Sequence, residues 1–279
     1  MPAADTVTET QPAPGPKRRR FTGLFPDRLL QHRAPQWWQE LLLIAIGYFL
    51  YGRVRNLVPD QTSIAMRHGR GIQHLQAALH LNFELSVNKF VATHEWLAQI
   101  MDYYYATLHF VVTIGVLLWL YLARPRIYRG VRTILFATSL LALVGFWLYP
   151  LAPPRLLPQY GYIDTVLKFH TWGSLADPGI AQHSNQYAAM PSLHIGWALW
   201  CGVTIFICAK PMWVRLLGAL YPLWTLAVII GTANHFFIDA VAGLGVFLLG
   251  IGVQYLISGT SGYTDVPDQP APPAAAQSA

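Results

Sequence analysis

The sequence predicts an all-α integral membrane protein: a bundle of six transmembrane helices with an outer interfacial amphipathic helix and disordered termini. Two observations carry that reading. Hydrophobic residue types make up 54% of the 279 residues and charged types only 11%, well under the share usual in a soluble domain. The apolar residues are also gathered into runs that suit a bilayer, where a spanning helix needs about 20 residues because backbone amides in hydrocarbon must be satisfied within the segment.

Segments 133–152 and 216–234 hold no charged residue, and 236–258 holds only Asp239. Segments 103–123 and 191–209 carry one histidine each, His109 and His194. Segment 37–54 opens on Trp37 and Trp38, which suit a membrane interface, and brings the predicted spans to six. Between the first two spans, Ile72, Leu75, Leu79 and Phe83 recur at near-helical spacing with His and Gln opposite, the pattern of a helix lying on the membrane. Such a helix either covers the bundle or shapes the path of a lipid to an outward-facing site.

Short cytoplasmic loops are enriched in Lys and Arg. Lys17, Arg18, Arg19 and Arg20 precede the first span; Arg124, Arg126, Arg129 and Arg132 follow the second; Lys210 and Arg215 follow the fourth. Alternating spans place all three groups on one side, so both termini are expected in the cytoplasm, with a plasma-membrane location. The loops 56–102 and 153–190 and the turn 234–236 then face outward. The net charge of +6 reports this topology, and nucleic acid is not an expected partner. Cys201 and Cys208 lack metal-ligand spacing and read as packing residues, and neither a metal nor a cofactor is expected.

Three regions follow: a disordered basic cytoplasmic tail at 1–36, a membrane catalytic domain at 37–258, and a disordered cytoplasmic tail at 259–279. The basic run at 17–20 is not followed by an apolar core, so no signal peptide is expected. The 153–190 loop is long, and its aromatics and prolines argue for function over disorder.

Ionisable side chains are costly inside a membrane and mark functional positions by default. His109 lies in DYYYATLHF, where with Tyr105 it either walls a site or serves as a packing residue. His194 opens the fourth span in AAMPSLHIGWALW, and NHFFIDAVAG places His235 and Asp239 at the head of the sixth. The topology brings all three histidines to the outer face. His235 and Asp239, four apart, share a helix face, so the carboxylate can accept a proton from the imidazole and leave its other nitrogen free as a nucleophile. His194 is then placed to protonate a leaving oxygen. Ser192, an N-cap after Pro191, opens a helix whose first amides form an anion site beside His194. Arg155, just past the third span, either binds phosphate or snorkels to the interface. Lys168, His170 and His183 read as solvated loop residues.

PSLH and HFFID, in this order, resemble the second and third signatures of the type 2 phosphatidic acid phosphatase superfamily. The resemblance spans roughly residues 37–258. It implies that His235 attacks phosphorus to form a phosphohistidine, with Asp239 orienting it, His194 as general acid, Ser192 as phosphate ligand and no metal. The lysine seven residues before an Arg-Pro, found in the best-known members, is absent: Leu117 stands seven before Arg124. The Ser-Arg pair before the third-motif histidine is replaced by Val228 and Ile229. These departures look like the inositol phosphorylceramide synthase branch, and APPR at 152–155 is similar to a Pro-Pro element there, which supports Arg155 as a phosphate ligand.

The expected function is an integral-membrane lipid phosphatase or phosphotransferase. Its expected partners are membrane lipids, with a lipid phosphate or phospholipid as donor and water, inositol or another polyol as acceptor. A haem-binding protein and a transporter also account for clustered intramembrane histidines, but the first leaves Asp239 unexplained and the second calls for polar positions through the bilayer's depth.

Overall fold

A computed structural model describes residues 36–57, 61–81, 83–171 and 186–264. The tail regions 1–35 and 265–279, and His183 with the middle of the long loop, lie outside these residues. The described chain is helical: α1 (Trp37–Leu57), α2 (Thr62–Ala78), α3 (Glu84–Ala92), α4 (Glu95–Tyr103), a π-helical turn (Tyr104–Leu108), α5 (His109–Ala123) and α6 (Pro125–Leu148). Two single 3-10 turns (Pro154–Leu156 and Pro158–Tyr160) and α7 (Thr165–Phe169) follow, then α8 (Leu193–Cys208), α9 (Met212–Gly231) and α10 (Phe237–Ser258).

Local chemistry sets the boundaries. Pro125 opens α6 at a position that needs no amide donor, and Gly259, with φ of 72°, closes α10 in the left-handed region. Four helical stretches among the described residues are long and apolar enough to cross a membrane: Glu95–Ala123, in which the π turn joins α4 to α5, Pro125–Leu148, Met212–Gly231 and Phe237–Ser258. Two predicted spans differ in kind. Helix α8 is apolar but only 16 residues long, and α1 carries Glu40, Arg53 and Arg55 within its 21 residues.

Helix α8 lies at the centre, packed against α5, α6, α9 and α10. Its Trp200 is fully buried and donates from Nε1 to the Val131 carbonyl at 2.7 Å. Glycines allow the close crossings: a Cβ on Gly202 would sit 2.6 Å from the Gly218 carbonyl oxygen on α9, an approach that membrane helix pairs gain with small residues. Cys201 and Cys208 are free and buried, as packing residues should be. Far from the histidines, α1 is tied to α6 through Glu40, which accepts from Tyr128 Oη at 2.8 Å and pairs with Arg132.

The expected single amphipathic helix after the first span is instead two, α2 and α3, and its faces are reversed only in part, since Ile72 is buried in the core and His74 is exposed. Leu75, Leu79 and Phe83 point away from the protein, while Gln76, Glu84 and Asn88 are buried beneath them. Where the surroundings are apolar, polar groups find their partners inside.

One contact sets the site end of the bundle. A Cβ on Gly243 would lie 2.5 Å from the Ser192 carbonyl oxygen, so α10 must be bare there for α8 to begin where it does. Gly243→Ala is expected to lower the unfolding midpoint in detergent, by roughly 1–3 kcal/mol of overpacking strain. Gly245→Ala, where nothing lies within 4 Å of the new methyl, should leave the midpoint unchanged or raise it. Equal midpoints for the two variants would contradict this packing.

Candidate active site

The starts of α5, α8 and α10 meet the chain leaving α6 at one end of the bundle. Pro191 packs on bare Gly145 of α6, and the Ser192 amide donates to the Asp239 carbonyl of α10 at 2.9 Å. Three histidine rings therefore come together. His194 lies 4.9 Å from His109 and 5.7 Å from His235 between ring centroids. Tyr105 stacks on His194 at 4.0 Å with an interplanar angle of 17°. Tyr105 lies in the π turn and His109 directly after it; such a turn re-aims side chains within a helix and recurs at functional sites. His109 is buried and its Nδ1 lies 3.1 Å from the Tyr221 hydroxyl.

His235 sits in the turn between α9 and α10. The turn doubles back sharply: Ala233 has φ of 55°, and the amides of Asn234 and His235 both donate to the Ile229 carbonyl, at 3.0 and 3.2 Å. The nearest group to His235 Nδ1 is the Ala189 carbonyl oxygen at 2.9 Å. A carbonyl only accepts, so Nδ1 carries the proton and Nε2 holds the lone pair. No hydrogen-bond partner among the described residues occupies that Nε2.

Asp239 departs in detail from its expected role. Its Oδ2 lies 3.4 Å from His235 Nδ1 but accepts from the Phe236 amide at 2.9 Å. Standing in the first turn of α10, the carboxylate is drawn to the helix's own unpaired amide, and the Ala189 carbonyl becomes the closer acceptor for the imidazole. Asp239 is fully buried, and its Oδ2 stays a second acceptor facing the His235 Nδ1.

Ser192 caps α8 as expected, its Oγ accepting from the Ile195 amide at 3.4 Å. Arg155, in the first 3-10 turn, reaches the turn that carries His235 instead of simply snorkelling. Its Nε donates to Asn234 Oδ1 at 3.0 Å, its backbone amide to the Ala233 carbonyl at 2.9 Å, and its guanidinium pairs with Asp164 at 3.3 Å. Asn234 was not singled out in the sequence, although it stands beside His235. Lys168 is exposed, as read, and also donates to the Ala92 carbonyl at 2.6 Å.

Glu84, also not singled out, accepts from the Phe237 amide at the head of α10 and from Gln76 Nε2 at 2.6 Å. Burial pushes its carboxyl up to about 7, against the hydrogen bonds from Phe237 and Gln76 that favour the anion.

No curated protein and no solved structure matches the chain. The profile of the PAP2 superfamily matches residues 70–253, a stretch that runs from α2 into α10 and includes each site residue named above.

A carboxyl whose folded value lies above its unfolded one stabilises the fold fully at pH below the unfolded value. That contribution is lost as pH rises through the folded value. For Glu84 the window runs from about 4.5 to about 7 and is worth about 3 kcal/mol. The unfolding midpoint of the wild-type protein should therefore fall more between pH 5 and 8 than that of Glu84→Gln. Parallel curves would show that Glu84 does not titrate in this range.

Proposed function

The chain belongs to the PAP2 superfamily, and from that premise we propose an integral-membrane lipid phosphatase or phosphotransferase that works through a phosphohistidine at His235. Members of the superfamily are phosphatases and phosphotransferases acting on phosphorylated lipid-type substrates in membranes, so this is an enzyme of phosphatase type. That membership weighs against the haem-binding and transporter alternatives. The observation that carries the mechanism is the state of His235: Nδ1 is engaged by the Ala189 carbonyl, with Asp239 behind it, and Nε2 has its lone pair available.

In the proposed reaction, His235 Nε2 attacks phosphorus and the bond from phosphorus to the leaving oxygen breaks. His194 gives its proton to that oxygen. The stacked face of Tyr105 holds the His194 ring in place. Asp239 stabilises the positive charge that grows on the His235 ring. The Arg155 guanidinium and the first amides of α8, opened by Ser192, take the charge on the equatorial phosphate oxygens. In the second half a hydroxyl attacks the phosphohistidine, its proton passes to His194, and the bond from phosphorus to Nε2 breaks. Water as acceptor gives free phosphate; inositol or another polyol gives a new phosphoester.

The departures from the common signatures favour the inositol phosphorylceramide synthase branch, and an open phosphohistidine favours hydrolysis. Six spans, cytoplasmic termini and an outward-facing site in the plasma membrane complete the proposal, supported by the basic groups that alternate with the apolar segments.

Purified protein in detergent, given dioleoyl phosphatidic acid with and without inositol, is expected to release diacylglycerol together with free phosphate when water accepts, or with inositol phosphate when inositol does. His235→Ala should lose at least about a thousandfold in turnover. Asp239→Asn should keep partial activity, and Arg155→Ala should mainly raise KM. Wild-type turnover in His235→Ala would overturn the mechanism.

A further inference from the structure

The turn that carries His235 is gripped by side chains from α2 and α3 that the proposed chemistry does not use. Gln76 stands in the last turn of α2, and Glu84 and Asn88 lie four apart on one face of α3. Their relative exposures are 0%, 1% and 0%. Polar groups buried this deeply must be hydrogen-bonded. Their partners include the two helix ends that flank the turn, beside Ile163, whose backbone meets Asn88 at 2.8 and 3.0 Å, and Tyr162, whose hydroxyl lies 3.3 Å from Glu84 Oε2. Asn88 Nδ2 donates to the carbonyl of Gly231, the last residue of α9, at 2.9 Å. Glu84 Oε1 accepts from the amide of Phe237, the first residue of α10, and Gln76 Oε1 accepts from the amide of Ile238 at 3.1 Å. Gln76 Nε2 closes the set by donating to Glu84 Oε2 at 2.6 Å.

A helix start leaves unpaired amides that its own N-cap side chain ordinarily meets. Here the N-cap is Phe236, whose side chain cannot accept. Asp239 serves the Phe236 amide from within α10, and the next two amides are served from α3 and α2. A carboxylate is also the group best matched to the positive end of the helix dipole.

We infer that Gln76, Glu84 and Asn88 are positioning residues that hold both ends of the His235 turn, keeping the imidazole Nε2 aimed at the substrate phosphorus. The assignment rests on the phosphohistidine reading. Within it the demand on geometry is severe, because a misplacement of about 1 Å at a reacting group costs on the order of a hundredfold in rate.

The amide and carboxyl roles make the clamp testable by exchange of partners. In Glu84→Gln the new amide group meets Gln76 Nε2 donor to donor, and turning the Gln76 amide over takes its oxygen from Ile238. In Gln76→Glu two carboxylates meet. In the double variant Gln76→Glu with Glu84→Gln, the carboxylate serves Ile238 and accepts from the new amide, whose oxygen serves Phe237. The bonds among these four groups are thus regained with the roles reversed, while the Tyr162 hydroxyl keeps Gln73 Oε1 as its acceptor at 3.0 Å.

The full-length protein in detergent, with dioleoyl phosphatidic acid as probe, is assayed for kcat and KM. Amide exchange is followed in the peptide covering residues 236–239. Each single variant should lose tenfold or more in kcat with KM within twofold and should exchange faster at 237 and 238. The double variant should return to within threefold of wild type in both. A residue needed only for folding would lower the amount of folded protein and leave kcat per folded molecule alone. Single variants with kcat within twofold of wild type, or a double variant that folds with native exchange yet stays tenfold slow, would overturn the assignment. A wild-type protein that releases no phosphate from the probe would overturn the functional reading alone; the clamp then stands or falls on whether the single variants speed exchange and the double variant restores it.

Discussion

A buried turn at the end of an apolar bundle, such as the one that carries His235, has to satisfy its own backbone without help from bulk water. In the stretch from Gly231 to Asp239, the helix-end carbonyl of Gly231 and the first amides of α10 are met by side chains from α2, α3 and α10 itself. The Ala233 carbonyl is met by the Arg155 amide. An unmet buried amide costs on the order of 1–3 kcal/mol, and a turn with several of them would open or refold. Because they are met, Ala233 is held at a positive φ that an alanine seldom adopts, and His235 is presented in one orientation.

The same requirement explains how the helices pack. Helix α8 starts beside α10 because Gly243 is bare under the Ser192 carbonyl, and it meets α6 because Gly145 is bare under Pro191. These approaches bring the His194 ring within 5.7 Å of His235. The π turn before α5 adds Tyr105 and His109 beside His194, so the imidazole is stacked on an aromatic face and flanked by two other histidines. The long connection after α6 returns Arg155 to the turn through Asn234 and supplies the Ala189 carbonyl that sets the His235 tautomer. Packing and chemistry depend on the same few crossings.

Much of this site was legible in the sequence because it is local. The four-residue spacing of His235 and Asp239, and a serine and proline opening the helix of His194, are patterns whose geometry follows from helix periodicity alone. Arg155 could be nominated, but its bond to Asn234 joins residues far apart in the chain. The Ala189 carbonyl left no mark, since a backbone acceptor has no side-chain signature. Glu84 and Asn88 share one face of α3 and were passed over because polar residues opposite an apolar stripe read as facing water. Here Leu75, Leu79 and Phe83 face outward, while Ile72 packs inward beside the polar row that seals the interior. The apolar runs located α9 and α10 closely and α6 only in part, because its first two turns carry arginines and lie before the apolar run. They did not anticipate that α8 is only 16 residues long, nor that the second span begins back at Glu95, because helix length there is set by neighbours and not by hydropathy.

The account depends on one bond, between phosphorus and His235 Nε2. Rapid quenching of the protein with radiolabelled phosphatidic acid, at alkaline pH where phosphohistidine survives, followed by peptide mapping, tests it directly. The label is expected on the peptide that contains His235, stable to alkali and lost in acid, and absent from His235→Ala. Label on His194, label that survives acid, or turnover with no labelled protein at any quench time would contradict it.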